Sequence, residues 1–67
     1  MLDIVVNGEP HRTGESQTVL GLIEQLGLDP SQVAVELDRR IVKQPLWKST
    51  PLSHGSQVEI VQFVGGG

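Results

Sequence analysis

In Gln57-Val58-Glu59-Ile60-Val61-Gln62-Phe63-Val64-Gly65-Gly66-Gly67, an apolar run gives way to three glycines. The run has the length and β-branched content of a strand. The glycines have no side chains to pack and no fixed backbone preference, so they add nothing to a core. The chain is expected to end as an anchored strand that releases a flexible tail, residues 65–67. Three extended residues reach roughly 10 Å from the body. The carboxylate at the end ionises near pH ~3.5, so it is charged at neutral pH. A tail without side chains can enter a narrow channel. The alternative is a frayed end or a cloning remnant, because termini are commonly disordered.

Within the strand the two faces differ. Val58 and Ile60 share one side, while Glu59, Val61 and Phe63 share the other. If the first pair faces a core, Val61 and Phe63 form an exposed apolar patch at the base of the tail, a natural docking surface together with Val64. A bulge that turns Phe63 back inward is the competing reading.

Working back to the start, Leu2, Ile4 and Val6 alternate with Asp3, Val5 and Asn7, which gives a strand with one face buried. Asn7-Gly8 is a strong hairpin signal, since both residues tolerate positive φ. The return strand spans residues 9–13, and Pro10, which lacks an N–H, makes it an edge. Thr18 is a helix N-cap. Val19, Leu22, Ile23 and Leu26 follow as one apolar stripe, and Gly27 stands where a helix C′ residue belongs. Gly21 inside the helix costs about 1 kcal/mol relative to alanine, and close packing on the sheet is one reason to keep it. Residues 29–32 form a turn. Val33, Val35 and Leu37 make a third strand, Asp38-Arg39-Arg40 turns, and Ile41-Val42 is a short fourth. Residues 45–52 form an irregular or 3₁₀ stretch whose apolar side chains cover one end of the core.

The order is hairpin, helix, strand, short strand, loop, final strand. One helix laid on one face of a mixed four- to five-stranded sheet is an α+β, β-grasp arrangement. It requires the first and last strands to lie side by side and parallel at the centre. Residues 1–64 form the domain and residues 65–67 the tail.

Size and composition narrow the function. Sixty-seven residues make one domain that buries only ~60% of its unfolded surface. There is no cysteine, so no disulfide supports it and no thiol nucleophile exists. No secretory signal opens the sequence and no apolar run approaches the ~20 residues of a membrane span, so a cytoplasmic location is expected. The net charge is -3, with signs interspersed, which fits a partner with basic patches and gives no support for nucleic-acid binding. His11 and His54 sit in separate loops without metal-ligand spacing and read as solvated residues. Trp47 reads as a core cover rather than an interface anchor. No phosphate loop, nucleophile elbow or converging carboxylate pair is visible, and no bound cofactor or metal is expected.

The segment from Val33 through Ile41-Val42, Trp47 and Pro51-Leu52 to the Val58–Gly67 ending, with Asn7-Gly8 and Gln17-Thr18-Val19, resembles the thiamine-biosynthesis sulfur carrier family of ubiquitin-like proteins. It departs from the family's pattern at the second hairpin turn, where Asp38-Arg39 replaces the frequent Asn-Gly. The resemblance implies a carrier, not an enzyme. An E1-like adenylating enzyme using ATP and Mg²⁺ would activate the Gly67 carboxylate. A sulfur donor such as a cysteine desulfurase would then leave a Gly67 thiocarboxylate, with Gly65 and Gly66 threading the partners' active-site channels. Thiazole synthase would accept the sulfur. A molybdopterin-type carrier, a ubiquitin-like modifier and a non-covalent β-grasp module stay open as alternatives.

Overall fold

The computed structural model describes residues 1–63. Five strands, β1 (Leu2–Val6), β2 (Glu9–Thr13), β3 (Val33–Leu37), β4 (Arg40–Val42) and β5 (Gln57–Gln62), form one sheet in the order β2-β1-β5-β3-β4. β5 is therefore central. It runs parallel to β1, with Val6 beside Val58, and antiparallel to β3, with Val35 beside Ile60. The expected mixed β-grasp sheet, with the first and last strands adjacent and parallel, is what forms. The expected boundary of the domain, together with Val64, Gly65, Gly66 and Gly67, lies outside the described residues.

One helix, α1 (Val19–Gln25), covers one face. Its N-terminus is capped by Thr18, whose hydroxyl accepts the Gly21 N–H at 3.1 Å. Its C-terminus is a Schellman motif: Leu28 N–H donates to the Ile23 carbonyl and Gly27 N–H to the Glu24 carbonyl. The motif needs a left-handed C′ residue, and Gly27 supplies it at φ +71°.

The helix buries Val19, Leu22 and Ile23 against Leu2, Ile4, Val33, Val35 and Val58. Leu26 is only half-buried at the margin of this core. The stretch after β4 is a 3₁₀ helix, Gln44–Ser49, that carries Trp47 into the core with 2% of its surface exposed. Its indole N–H donates to the Val42 carbonyl at 2.7 Å, so the buried donor is satisfied. Leu52 is also buried, whereas Leu46 of the same stretch faces solvent.

Both hairpin turns place two consecutive residues at positive φ, Asn7 and Gly8 in the first, Asp38 and Arg39 in the second. Asp38-Arg39 thus adopts the backbone conformation expected of Asn-Gly, and Arg39 does so with a side chain that disfavours it. Both turns also grip the central strand. Asn7 N–H donates to the Val58 carbonyl and Asp38 N–H to the Gln57 carbonyl, each at 2.8 Å. Side chains add to this: Asp38 Oδ1 accepts the Gln57 N–H at 2.9 Å, and Asn7 Oδ1 accepts the Ile60 N–H at 2.7 Å.

Gly21 is explained by something other than close packing on the sheet. A Cβ there would collide with Gln17 Oε1. That oxygen accepts the Thr18 N–H, while Gln17 Nε2 donates to Thr13 Oγ1 at 2.9 Å and to Gln25 Oε1 at 3.1 Å. Thr13 is buried, so this small network satisfies a polar group in the core. Gly21→Ala is therefore expected to give no net gain in the wild-type background. In a Gln17→Ala background the same change should stabilise by about 0.5–1 kcal/mol, because only the helix-propensity term remains. Urea midpoints of the four proteins check this, and equal gains in both backgrounds would count against the clash.

Candidate functional site

The candidate site is the exit of β5 and the sheet face that α1 leaves uncovered. Alternation along each strand decides which side chains reach that outer face. On β5 these are Gln57, Glu59 and Val61, and on β3 Ala34 and Glu36, with Val61 opposite Ala34 and Glu59 opposite Glu36. Ile41 of β4 lies opposite Glu36 and joins the same face. Val61 is 59% exposed and Phe63 53%. The unbroken β3–β5 register through Val61 excludes a bulge ahead of Phe63, so both residues stand outside the core.

Ile41, 75% exposed, belongs to the outer face and was not evident as part of it. Read as half of an apolar pair with Val42, it looks like core. Period two within β4 assigns the two residues to opposite faces, and only Val42 packs inward. The outer face thus combines Val61, Phe63 and Ile41 with the directly opposed carboxylates Glu36 and Glu59. Like charges facing each other across a ladder are unfavourable to the sheet.

The exit of β5 is fastened on its β3 side. Phe63 N–H donates to the Gln32 carbonyl at 2.7 Å. Gln32 ends a short 3₁₀ helix, Pro30–Gln32, capped by Asp29, whose Oδ1 accepts from the Ser31 N–H at 3.0 Å and the Ser31 hydroxyl at 2.8 Å. These bonds, the backbone one first, hold the Asp29 carboxyl below its ordinary range, since they favour the charged form.

The two histidines lie apart from this site. His11 is in β2 rather than in a loop and is half-buried, with Nε2 enclosed and without a hydrogen-bond partner among the described residues. His54 sits in the turn before β5, and its Nδ1 accepts the Asp3 N–H at 3.2 Å. Asp3 also accepts from Arg12 Nε at 2.8 Å, and this hydrogen bond and the guanidinium charge lower its pKa. Among the described residues there is no cluster of three or more His, Cys, Asp or Glu that could hold a metal, and no helix is long and apolar enough to cross a membrane.

Comparison with known proteins bears on the whole chain. The model of the ThiS family matches residues 4–67. A crystal structure of a thiamine biosynthesis protein (ThiS) from Geobacter metallireducens superposes with a TM-score of 0.85 at 30% identity, covering 98% of this chain and 100% of that one. A solution structure of a thiamine biosynthesis protein from the same organism gives 0.82 at 30% identity, covering 98% and 88%. Among curated proteins, a thiazole synthase of Magnetococcus marinus is 38% identical over 66 residues, 98% of this chain. The chain spans only 20% of the length of that relative.

The capped turn at Asp29 yields a pH prediction. A carboxylate whose pKa is lowered by folding contributes stability that is present above its unfolded value and lost as pH falls through the folded one. Asp29 should therefore contribute fully above about pH 5 and lose its contribution below about pH 4. Asp29→Asn keeps an acceptor for the Ser31 N–H but cannot titrate. The difference in urea midpoint between wild type and Asp29→Asn is expected to shrink between pH 6 and pH 2.5, and a constant difference would remove this linkage.

Proposed function

We propose that this chain, which belongs to the ThiS family, carries sulfur for thiazole formation in thiamine biosynthesis, on the carboxylate of Gly67. The observation that supports this most directly is the family match extending through Gly67. The fold is consistent with it: β5, the central strand, precedes the glycines in sequence, and the face beside it that α1 leaves uncovered exposes Val61, Phe63 and Ile41 next to Glu36 and Glu59.

The chemistry follows from what a carboxylate lacks. A carboxylate oxygen is a poor leaving group, so the carbonyl carbon does not accept a nucleophile unaided. Attack of the Gly67 carboxylate on the α-phosphorus of ATP, with loss of pyrophosphate, gives an acyl adenylate whose leaving group is AMP. We assign that step to an E1-like adenylating enzyme, which supplies ATP and Mg²⁺. Sulfide displacing AMP yields the thiocarboxylate directly. A persulfide, as a cysteine desulfurase would provide, gives an acyl disulfide that a thiol must then reduce. The chain has no cysteine of its own, which leaves the tail as the evident address for the sulfur. It acts as a co-substrate rather than a catalyst.

Thiazole synthase is the acceptor we propose. Thiazole synthases of two organisms contain a stretch 38% identical to nearly all of this chain, which fits a carrier working beside that activity. The cytoplasm is the proposed location. Gly65 and Gly66 let the tail pass into the active sites of both partners, and Val61, Phe63 and Val64 dock the body at their mouths.

Incubating the chain with an E1-like adenylating enzyme, ATP, Mg²⁺ and sulfide is expected to replace one oxygen by sulfur, localised by mass spectrometry to the C-terminal peptide. Amidation of the carboxylate should abolish the change. Sulfur incorporation that survives amidation, or conjugates to lysine instead of thiocarboxylate, would reject this reading.

The docking role has its own test. Phe63→Glu and Val61→Glu alter exposed positions, so each should change stability by no more than about 0.5 kcal/mol. Each should nevertheless weaken binding to the adenylating enzyme, read by titration calorimetry. Unaltered affinity would remove these residues from the interface.

A further inference from the structure

Asn7 makes more contacts than its turn needs. Any residue that tolerates φ near +50° would serve at this position, and glycine would serve best. Yet both polar atoms of the Asn7 side chain bond the central strand. Its Oδ1 accepts the Ile60 N–H at 2.7 Å, and its Nδ2 donates to the Ile60 carbonyl at 3.1 Å. The side-chain amide thus takes the place of one more peptide unit of β1. Backbone pairing between β1 and β5 stops at Val6 and Val58. Asn7 carries the hold two residues further along β5, towards its exit.

The position of Ile60 gives this bond its consequence. It is followed immediately by Val61 and, two residues later, by Phe63. On the β3 side this segment is bonded through Ala34 beside Val61 and through Gln32 to Phe63. A strand end bonded along one edge only can twist or peel about that edge. With the Asn7 amide on the opposite edge, Ile60 is fixed from both sides, and the segment leading to the glycines moves with the body. We propose that Asn7 is a positioning residue for activation of the tail: by clamping Ile60 it keeps the outer face and the exit of β5 in one fixed relation. This rests on the carrier reading above, in which both parts must meet the same partner at once. Small misplacements of a reacting group are costly in rate, which is why a remote clamp can matter.

Asp38 offers a matched control. It occupies the same place in the second turn, has the same φ of 50°, and clamps β5 through Gln57 N–H at 2.9 Å. Gln57 is the first residue of β5, at the end remote from the tail. Asn7→Gly and Asp38→Gly each remove a side-chain clamp without straining the backbone. The experiment measures ATP–pyrophosphate exchange by a purified E1-like adenylating enzyme with wild-type chain, both glycine variants and Asn7→Asp. Amide hydrogen exchange and Tm of each chain are measured alongside.

Both glycine variants are expected to lower Tm. Asn7→Gly should speed exchange of the Ile60 amide and reduce kcat roughly tenfold, with a smaller change in KM. Asp38→Gly should leave kcat within about twofold of wild type. Asn7→Asp, which keeps the acceptor for Ile60 N–H and loses the donor, should fall between wild type and Asn7→Gly. Equal kcat losses in the two glycine variants, or none in Asn7→Gly, would overturn the positioning role while leaving the carrier reading intact. An unchanged Ile60 amide would overturn the clamp itself. A wild-type chain that supports no exchange would overturn the carrier reading and this role with it.

Discussion

The parallel pairing of β1 with β5 is the constraint from which the other features follow. Two parallel neighbours cannot be joined by a tight turn, so everything between Val6 and Gln57 serves as their connection. That connection must place α1 on one face and return a second hairpin, β3–β4, to the far edge of β5. A central strand needs partners for its backbone groups on both sides. β1 and β3 supply them, and the turns at Asn7 and Asp38 extend the supply to residues beyond the paired backbone. Because one helix covers one face, the other face of the same strand is left to solvent, with Val61 on it.

Much of this was legible in the sequence, for definable reasons. Period-two alternation in residues 2–6 and 33–37, the Thr18 cap, the Val19–Leu22–Ile23 stripe and Gly27 each reflect a local rule, and the structure follows each one. The outward direction of Val61 and Phe63 was legible because a strand must send alternate residues to opposite faces. Residues whose role depends on a distant partner were not. Gly21 lies against the end of the Gln17 side chain, and nothing in the helix pattern reveals where that side chain goes. Asn7 announces a turn, but its hold on Ile60, 53 residues away in sequence, appears only once β5 lies beside it.

The second turn shows where local rules yield. Asp38-Arg39 departs from the usual residues for two consecutive positive φ values, yet adopts them. The Asp38 carboxylate recovers part of that cost by accepting the Gln57 N–H, a bond that fixes where β5 begins. His11 is a different case: the loop reading of this histidine conflicts with the strand expected over residues 9–13, and the strand is what forms, because the β1–β2 ladder runs from Val6–Glu9 to Leu2–Thr13 without a break.

The placement of β5 also orders events in time. It is the last of the five strands to be synthesised, and both hairpins depend on it for a neighbour. An isolated two-stranded hairpin is marginal in water, so a nascent chain that has not yet delivered residues 57–62 has no sheet to complete. A chain broken off before this strand is expected to stay unfolded and be open to proteolysis, rather than persist as a compact body without its tail. Folding thereby depends on the delivery of the central strand.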